Sequence, residues 1–519
     1  MIPTRLLTIV ALAGSLALSQ AQSTVSTNGT SAPPPEASGV EQTIKDIKNP
    51  APWFSWGGDL RVRDEYFNNA ASLGVPPGGL LFGNVHAQDY MRFRGRLWAS
   101  FLPTNDLTLN VRLAAEPREF FEHSTFDSFY QVEGPQWRYG IIDNLNVQWK
   151  KPLDLPATVT IGRQDIFLGD GWLVGDASPN DGSFTTFFDA ARLTYKLEDL
   201  HTTIDAIGLM EFARPDAWLP TLGPSTGVTP PSPLSLPLTL TDQNEKGAIL
   251  WVANKSLPYA NLDGYFIYKH DTALYDYPVP IFGDNGDIYT LGGRVSGLVQ
   301  EHWKYSVEGA YQFGRKQDPE LNQGGANPDL APSAQTTGFR DLSAFGTQTK
   351  LAYLFKDRWN DQLSLTHEFL SGDNPNTKSD EMFDVLWGRW PQWSEMYNVY
   401  SYIQETRVGQ TANLDRIGPT WTMNPMPKME FSASYYLLFA DQDMATRDFN
   451  HAIFGSKSPA TDAFTGTGSD RGQYLQAVLK YKFSQHLSGH LWSEFLFPGN
   501  FYVNHSLITF LRAEMMVTF

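Results

Sequence analysis

Leu511-Arg512-Ala513-Glu514-Met515-Met516-Val517-Thr518-Phe519 closes the sequence, and its reading decides the fold. Side chains alternate faces along a strand. Leu511, Ala513, Met515, Val517 and Phe519 therefore share one face, and Arg512, Glu514, Met516 and Thr518 share the other. One face is apolar throughout while the other carries a charge pair. A last strand of this kind suits a bacterial outer-membrane barrel, which closes its last strand on its first and presents a terminal aromatic, here Phe519, to the barrel assembly machinery. The alternative is the final strand of a soluble sandwich. The rest of the chain separates the two, because a membrane barrel repeats the pattern in segments of about ten residues.

The pattern does repeat, from Trp53 to Phe519. Met91, Phe93, Leu97, Ala99 and Phe101 lie opposite Arg92, Arg94, Arg96, Trp98 and Ser100. Trp303, Tyr305, Val307, Tyr311 and Phe313 lie opposite Lys304, Ser306, Glu308 and Gln312, and Leu475, Ala477, Leu479, Tyr481 and Phe483 opposite Gln476, Lys480 and Lys482. Connections alternate as well. Short links fall near 103–105, 152–156, 198–200, 256–260, 300–301, 357–359, 424–427 and 484–485. Long ones fall near 68–89, 117–139, 168–186, 212–245, 271–286, 315–341, 371–396 and 440–471, with a shorter link at 497–505. Short turns on one side and long loops on the other are the asymmetry of a membrane barrel. Counting 397–408 and 413–423 separately gives roughly 19 segments, but a single crossing in 397–423 keeps every long link on one side and gives about 18, an even number. The expected fold is all-β: a transmembrane antiparallel up-and-down barrel over 53–519. Trp53, Phe54, Trp56, Trp149, Trp303, Phe355, Trp359 and Phe483 stand beside short turns, where interfacial girdles in contact with outer-membrane lipid belong.

Composition agrees. Arg5 precedes an apolar run from Leu6 to Leu18 and small residues, so 1–21 reads as a secretory signal peptide. Residues 22–52, rich in Ser, Thr, Pro and Asn, read as a disordered periplasmic tether. Mean hydropathy is −0.32, and no apolar run is long enough for a spanning helix. The chain has 0 cysteines, so disulfides and thiol chemistry do not arise, and aromatic residues make up 13%. A net charge of −17 argues against nucleic acid as a partner.

A barrel works through its lumen and loops. Arg61, Arg63, Arg92, Arg94, Arg96 and Arg112 crowd the inward faces of the first three strands; Arg163, Arg192, Arg294, Lys350, Lys480, Lys482 and Arg512 follow on later ones. Rings of Arg and Lys select anions, and the guanidinium fork suits carboxylates. A basic track for an anionic saccharide is the expected path. The competing reading is a braced wall, with Glu65, Glu308, Glu368, Glu430, Glu494 and Glu514 as inward partners. Segments 212–245 and 371–396 are candidate plugs, and Trp387, Trp390 and Trp393 in the second are candidates for stacking on sugar rings.

Other chemistry finds less support. No cofactor is expected. Asp170, Asp176 and Asp181, Asp284 and Asp287, and Asp441, Asp443 and Asp448 are loop clusters able to hold calcium, without the spacing of a calcium loop. No zinc pattern is present. A barrel hydrolase would need a nucleophile beside a base. His367 and His490, with Ser364 and Ser488 nearby, are too close along their strands for that geometry, so no enzyme is expected. Pro77-Gly78-Gly79 and Gly324-Gly325 open no helix after a strand, so nucleotide binding is not indicated.

The chain resembles the alginate export family of outer-membrane porins. The resemblance rests on Ile161-Gly162-Arg163-Gln164, the Gly-Asp-Gly turn at 169–171, Phe188-Asp189-Ala190-Ala191-Arg192-Leu193, Glu368, Ser371-Gly372-Asp373, Phe383-Asp384 and Leu386. It implies an outer-membrane barrel with an electropositive constriction that passes a polyuronate outward. Arg61, Arg94 or Arg96, and Arg163 match its basic lumen positions. The sequence leaves open whether the barrel works alone or docks on a periplasmic export complex. The penultimate strand departs from the family's arginines, with His490, Trp492 and Glu494 on its inward face. The alternative function is a general diffusion porin for small polar solutes, and the third an outer-membrane hydrolase.

Overall fold

The computed structural model describes residues 39–70, 87–122, 134–136, 140–175, 187–212, 243–273, 285–317, 339–374, 376–388, 392–397, 412–442, 465 and 467–519. Their strands lie in one antiparallel sheet of 20. In chain order these are β1 (Phe54–Asn68), β2 (Ala87–Thr104), β3 (Leu107–Ala115), β4 (Arg118–Glu122), β5 (Gly134–Gln136), β6 (Gly140–Lys150) and β7 (Ala157–Gln164). Next come β8 (Phe188–Leu197), β9 (Thr202–Glu211), β10 (Gln243–Asn254), β11 (Asn261–Ala273), β12 (Asn285–Val299), β13 (Trp303–Gln317) and β14 (Arg340–Leu354). The last are β15 (Gln362–Leu370), β16 (Leu414–Met426), β17 (Met429–Phe439), β18 (Asp470–Lys482), β19 (Leu487–Pro498) and β20 (Ile508–Thr518). β4 carries β3 onward along β2 and pairs with the short β5, so these two lengthen one hairpin. The closed barrel has 18 strands.

Closure joins β1 to β20, from Asp59 opposite Thr518 to Asn68 opposite Thr509. Phe519 completes it: its amide donates to the Gly58 carbonyl at 3.1 Å and its carbonyl accepts from the Gly58 amide at 3.2 Å. The crossing expected within 397–423 is β16. Long and short connections alternate as the sequence indicates, most with boundaries shifted by a few residues; the link after β15 does not end near 396 as expected, since β16 begins only at Leu414.

Inward and outward faces follow the period-2 pattern. Leu60, Leu97, Leu250, Leu291 and Leu365 project outward and are exposed, whereas Arg61, Arg92, Glu308 and Gln312 are buried inside. Tyr268, Tyr289 and Phe313 stack outside near the long loops, with centroids 5.1 and 5.4 Å apart. Trp53, Trp149, Trp303, Phe355 and Trp359 are exposed at the short-turn end. An apolar belt between aromatic girdles is the surface a membrane barrel presents. Phe483 departs from its girdle assignment: it is buried, edge-on to Tyr481 at 4.8 Å. No helix among the described residues is long and apolar enough to cross a membrane.

The signal-peptide reading and the tether before residue 39 lie outside the described residues. The end of the tether is not irregular as expected: α1 spans Gly39–Lys48. Glu41 in its first turn and Lys45 and Lys48 in its last suit the helix dipole. Gln42 Nε2 donates to Asp46 Oδ1 at 2.7 Å one turn on. Trp56 ties the helix to the barrel by donating its Nε1–H to the Ile47 carbonyl at 2.7 Å.

Candidate functional site

The lumen is filled from within. Two stretches between strands fold inward: 165–175 after β7, and the described parts of 371–397 after β15. Ile166, Val174, Leu386 and Met396 are fully buried in one cluster with the inward wall residues Ile249, Ile267, Ile288, Leu438 and Leu496. Apolar wall positions inside a barrel thus become a packed core. The stretches clasp each other through the Trp387 amide, which donates to the Leu173 carbonyl (3.0 Å), and the Gly175 amide, which donates to the Trp387 carbonyl (3.2 Å).

The wall is notched to receive them. An ideal Cβ on Gly247 of β10 would lie 2.2 Å from the Trp387 ring, and one on Gly346 of β14 would lie 2.9 Å from Phe383. Only glycine leaves room there, since the clash is with rigid aromatic rings rather than flexible ends. Trp387 donates its Nε1–H to Glu245 at 2.9 Å, and Trp172 donates to Glu368 at 3.1 Å. These bonds satisfy the polar edge of each indole inside the core.

Charge does the rest of the docking. Asp384 meets Lys269 at 3.1 Å and Lys316 at 3.4 Å. Burial pushes the Asp384 carboxyl up, but Lys269 and Lys316 together hold it well below the usual carboxylate range. Arg340 grips Asp373 with both terminal nitrogens, at 2.8 and 2.9 Å. Glu395 receives Arg512 at 2.9 Å; burial opposes its charge, and Arg512 draws it below the ordinary glutamate value. Glu494 of β19 accepts from the amides of Glu395 (2.8 Å) and Met396 (2.9 Å) and from the Ser394 hydroxyl (2.7 Å). Its departure from the arginines of the resembled family thus has a structural task, since it anchors the end of the inward segment.

The cations singled out in the sequence fall into two sets. Arg61, Arg63, Arg92, Arg94 and Arg163 are buried. Arg92 meets Glu65 at 3.1 Å, Arg94 meets Asp59 at 3.4 Å, and Arg61 lies 3.7 Å from Glu116. Arg63 pairs with Glu514 across the closing seam. Arg163 is held by Asp189 at 2.9 and 3.1 Å, with the Phe187 ring 3.6 Å from its guanidinium carbon. The other set is partly exposed, toward the short turns. Arg96 meets Asp59 at 2.7 Å and Arg192 meets Asp205 at 2.8 Å. Arg112 reaches Asp143 and Asp165, at 2.8 Å each. Arg294 reaches Asp170 at 2.6 Å and Asp263 at 2.8 Å, and Lys350 lies 3.7 Å from Asp170. The lumen therefore carries a mixed network in place of a bare basic track.

Three readings need correction. Trp387 is 3% exposed, and Trp393 packs edge-on to Tyr474 at 5.1 Å beneath Arg416. Trp387 presents no free face for a sugar in this state, because it serves the docked segment, and Trp393 is partly buried against the same core; Trp390 lies outside the described residues. Asp287 sits on the outer face of β12, bonded to His270 at 2.8 Å and Arg315 at 3.0 Å, rather than in an acidic loop. Asp170 is committed to the lumen cations, and Asp441 accepts from the Gly372 amide at 2.9 Å. Asp176, Asp181, Asp284, Asp443 and Asp448 lie outside the described residues, as does most of the plug candidate 212–245. The plug candidate 371–396 does fold inward. Ser364 and His367 point to opposite faces of β15: Ser364 donates to the Thr420 carbonyl, and His367 lies 2.9 Å from Asp415.

Several participants were missed. Lys269, Lys316, Arg340 and Arg416 stand on inward positions of their strands, so alternation was the signal that could have found them; Arg471 shares the parity of outward Leu475 and turns inward only where the register shifts beside Gly472, at a φ of 112°, which alternation does not reveal. Arg416 meets Glu368 at 2.9 Å, and Arg471 donates to Tyr397 at 2.6 Å. The inward course of 165–175 has no periodic signature.

Comparison with curated proteins finds no match. Among solved structures the chain is similar to OccAB2 of Acinetobacter baumannii, at 11% identity over 89% of this chain and 98% of that one, with a TM-score of 0.49. It is also similar to OccK2 (OpdF) of Pseudomonas aeruginosa, solved with glucuronate, at 11% identity over 89% and 97%, with a TM-score of 0.47. OccD3 (OpdP) of the same organism matches at 10% identity over 89% and 91%, with a TM-score of 0.44. The sequence model for alginate export matches residues 237–510, more than half of the 519 residues, and the chain belongs to that family of outer-membrane channels.

Proposed function

We propose that this channel passes an anionic saccharide or polysaccharide of the uronate type across the outer membrane. The observation that carries the reading is the seam of β1, β2 and β20. Arg61, Arg63, Arg92, Arg94, Arg96 and Arg512 face Asp59, Glu65, Glu116, Glu395 and Glu514 there. Cations exceed carboxylates, and one of the carboxylates, Glu395, comes from the inward segment rather than the wall. Displacing that segment leaves a positive surface facing the lumen. In a low-dielectric channel such a surface favours anions strongly. The outward apolar belt supports outer-membrane lipid as the surrounding partner.

The packed lumen favours a gated path over the wide eyelet of a general diffusion porin. Planar-bilayer recording under a KCl gradient tests the reading. The expected result is a small resting conductance, a reversal potential of anion sign, and a change in current when oligouronates are added. A large unselective conductance indifferent to oligouronates would sink it and leave the general porin in its place.

A further inference from the structure

We infer that the wall cations now held by carboxylates of the inward segments are the carboxylate subsites of the transport path, and that the segments occupy them as an internal surrogate for the substrate. This rests on the anionic-saccharide reading above. Five contacts carry it. Asp165 meets Arg112 at 2.8 Å and Asp170 meets Arg294 at 2.6 Å. Asp373 meets Arg340 at 2.8 Å, Asp384 meets Lys269 at 3.1 Å, and Glu395 meets Arg512 at 2.9 Å. Asp165 and Asp373 each take two parallel bonds from one guanidinium. That is the geometry in which arginine recognises a free carboxylate.

These cations also have fixed neighbours: Asp143 beside Arg112, Asp263 beside Arg294, Glu65 beside Arg512, and Glu245 and Asp271 beside Lys269. They differ from Arg92 and Arg94, which meet Glu65 and Asp59 of the wall itself. A wall-to-wall pair cannot exchange without breaking the barrel. A wall-to-segment pair can, because the segment is able to move off as a unit. Simply breaking a buried pair is expensive since it strands a charge. Replacing the segment's carboxylate by a substrate carboxylate avoids that cost, so a polyuronate opens the path by substitution. A neutral sugar offers nothing to exchange.

The test uses the full chain in planar bilayers, with Asp384→Asn/Glu395→Gln as the opening variant and a short linear oligouronate as the probe. The variant is expected to conduct at least roughly tenfold more than the parent without sugar, since each substitution takes from the docked segment a charge-assisted contact to a buried wall cation. The oligouronate is expected to raise the parent's current. A second variant, Leu342→Cys/Asp380→Cys, guards against misfolding. The two residues form a bridge between β14 and the segment, and the chain has 0 other cysteines to compete. Oxidised, it should stay closed with oligouronate; reduced, it should respond like the parent. An opening variant as closed as the parent, with the parent still anion-selective and oligouronate-sensitive, overturns the surrogate alone. A variant that opens but ignores oligouronates overturns the surrogate together with the substrate reading. A cross-linked form that responds to sugar while oxidised also overturns it.

Discussion

Trp387 fills the space that a side chain on Gly247 would need, with an ideal Cβ at that glycine only 2.2 Å from the indole. The wall of β10 and the inward segment are therefore shaped to each other. Gly247→Leu should push Trp387 out of its notch and break its bond to Glu245. Overpacking of this kind costs about 1–3 kcal/mol. The expected outcome is a folded barrel with increased resting conductance and faster proteolysis within 376–388. An unchanged resting current would mean that the notch is incidental.

Glu494 makes the second prediction. Its two oxygens accept from the Ser394 hydroxyl and from the amides of Glu395 and Met396. Glu494→Gln would set an amide donor against these donors. Charge-assisted bonds are worth about 1.5–3 kcal/mol each, so the docked population should fall by roughly tenfold or more. Open probability of single channels reads this directly, and a value equal to the parent's would remove Glu494 from the docking account.

Acid provides a third. Asp384 and Glu395 both have carboxyls held below their ordinary values, 3.8 and 4.5, by the cations they meet. A depressed value stabilises docking above the ordinary value, and that stabilisation is lost as pH falls through the depressed one. The channel should stay closed from neutral pH down through the ordinary carboxylate range. It should open only in stronger acid. Opening between pH 6 and 7 would point to a different titrating group.

The β2 arginines yield a fourth. Arg92→Ser, Arg94→Ser and Arg96→Ser combined remove the β2 partners of Glu65 and Asp59. Each buried pair broken from one side costs about 3–5 kcal/mol. The main effect should fall on barrel stability, seen as a lower urea midpoint for unfolding from lipid vesicles. Arg294→Ser, whose partner Asp170 is on an inward segment, should change conductance more than stability. The reverse ranking would exchange the roles of the two sets.

A local rule was enough for the wall. Side chains alternate along each strand whatever surrounds it, so Leu511 to Phe519 already announced an outward and an inward face. Long and short links in turn placed the crossings, β16 included. Inward position was legible for Arg61, Arg92 and Glu514, because it needs only the parity of neighbouring residues. Only the tertiary structure decided their partners. Arg63 meets Glu514 across 451 residues, and Arg512 meets Glu65 across 447, contacts made by the register of the closing seam. The lumen filling was decided there too. Residues 165–175 and 371–397 have no period to read, and their inward course depends on glycine notches, wall cations and the Glu494 anchor. Those features come together only when the barrel has closed around them.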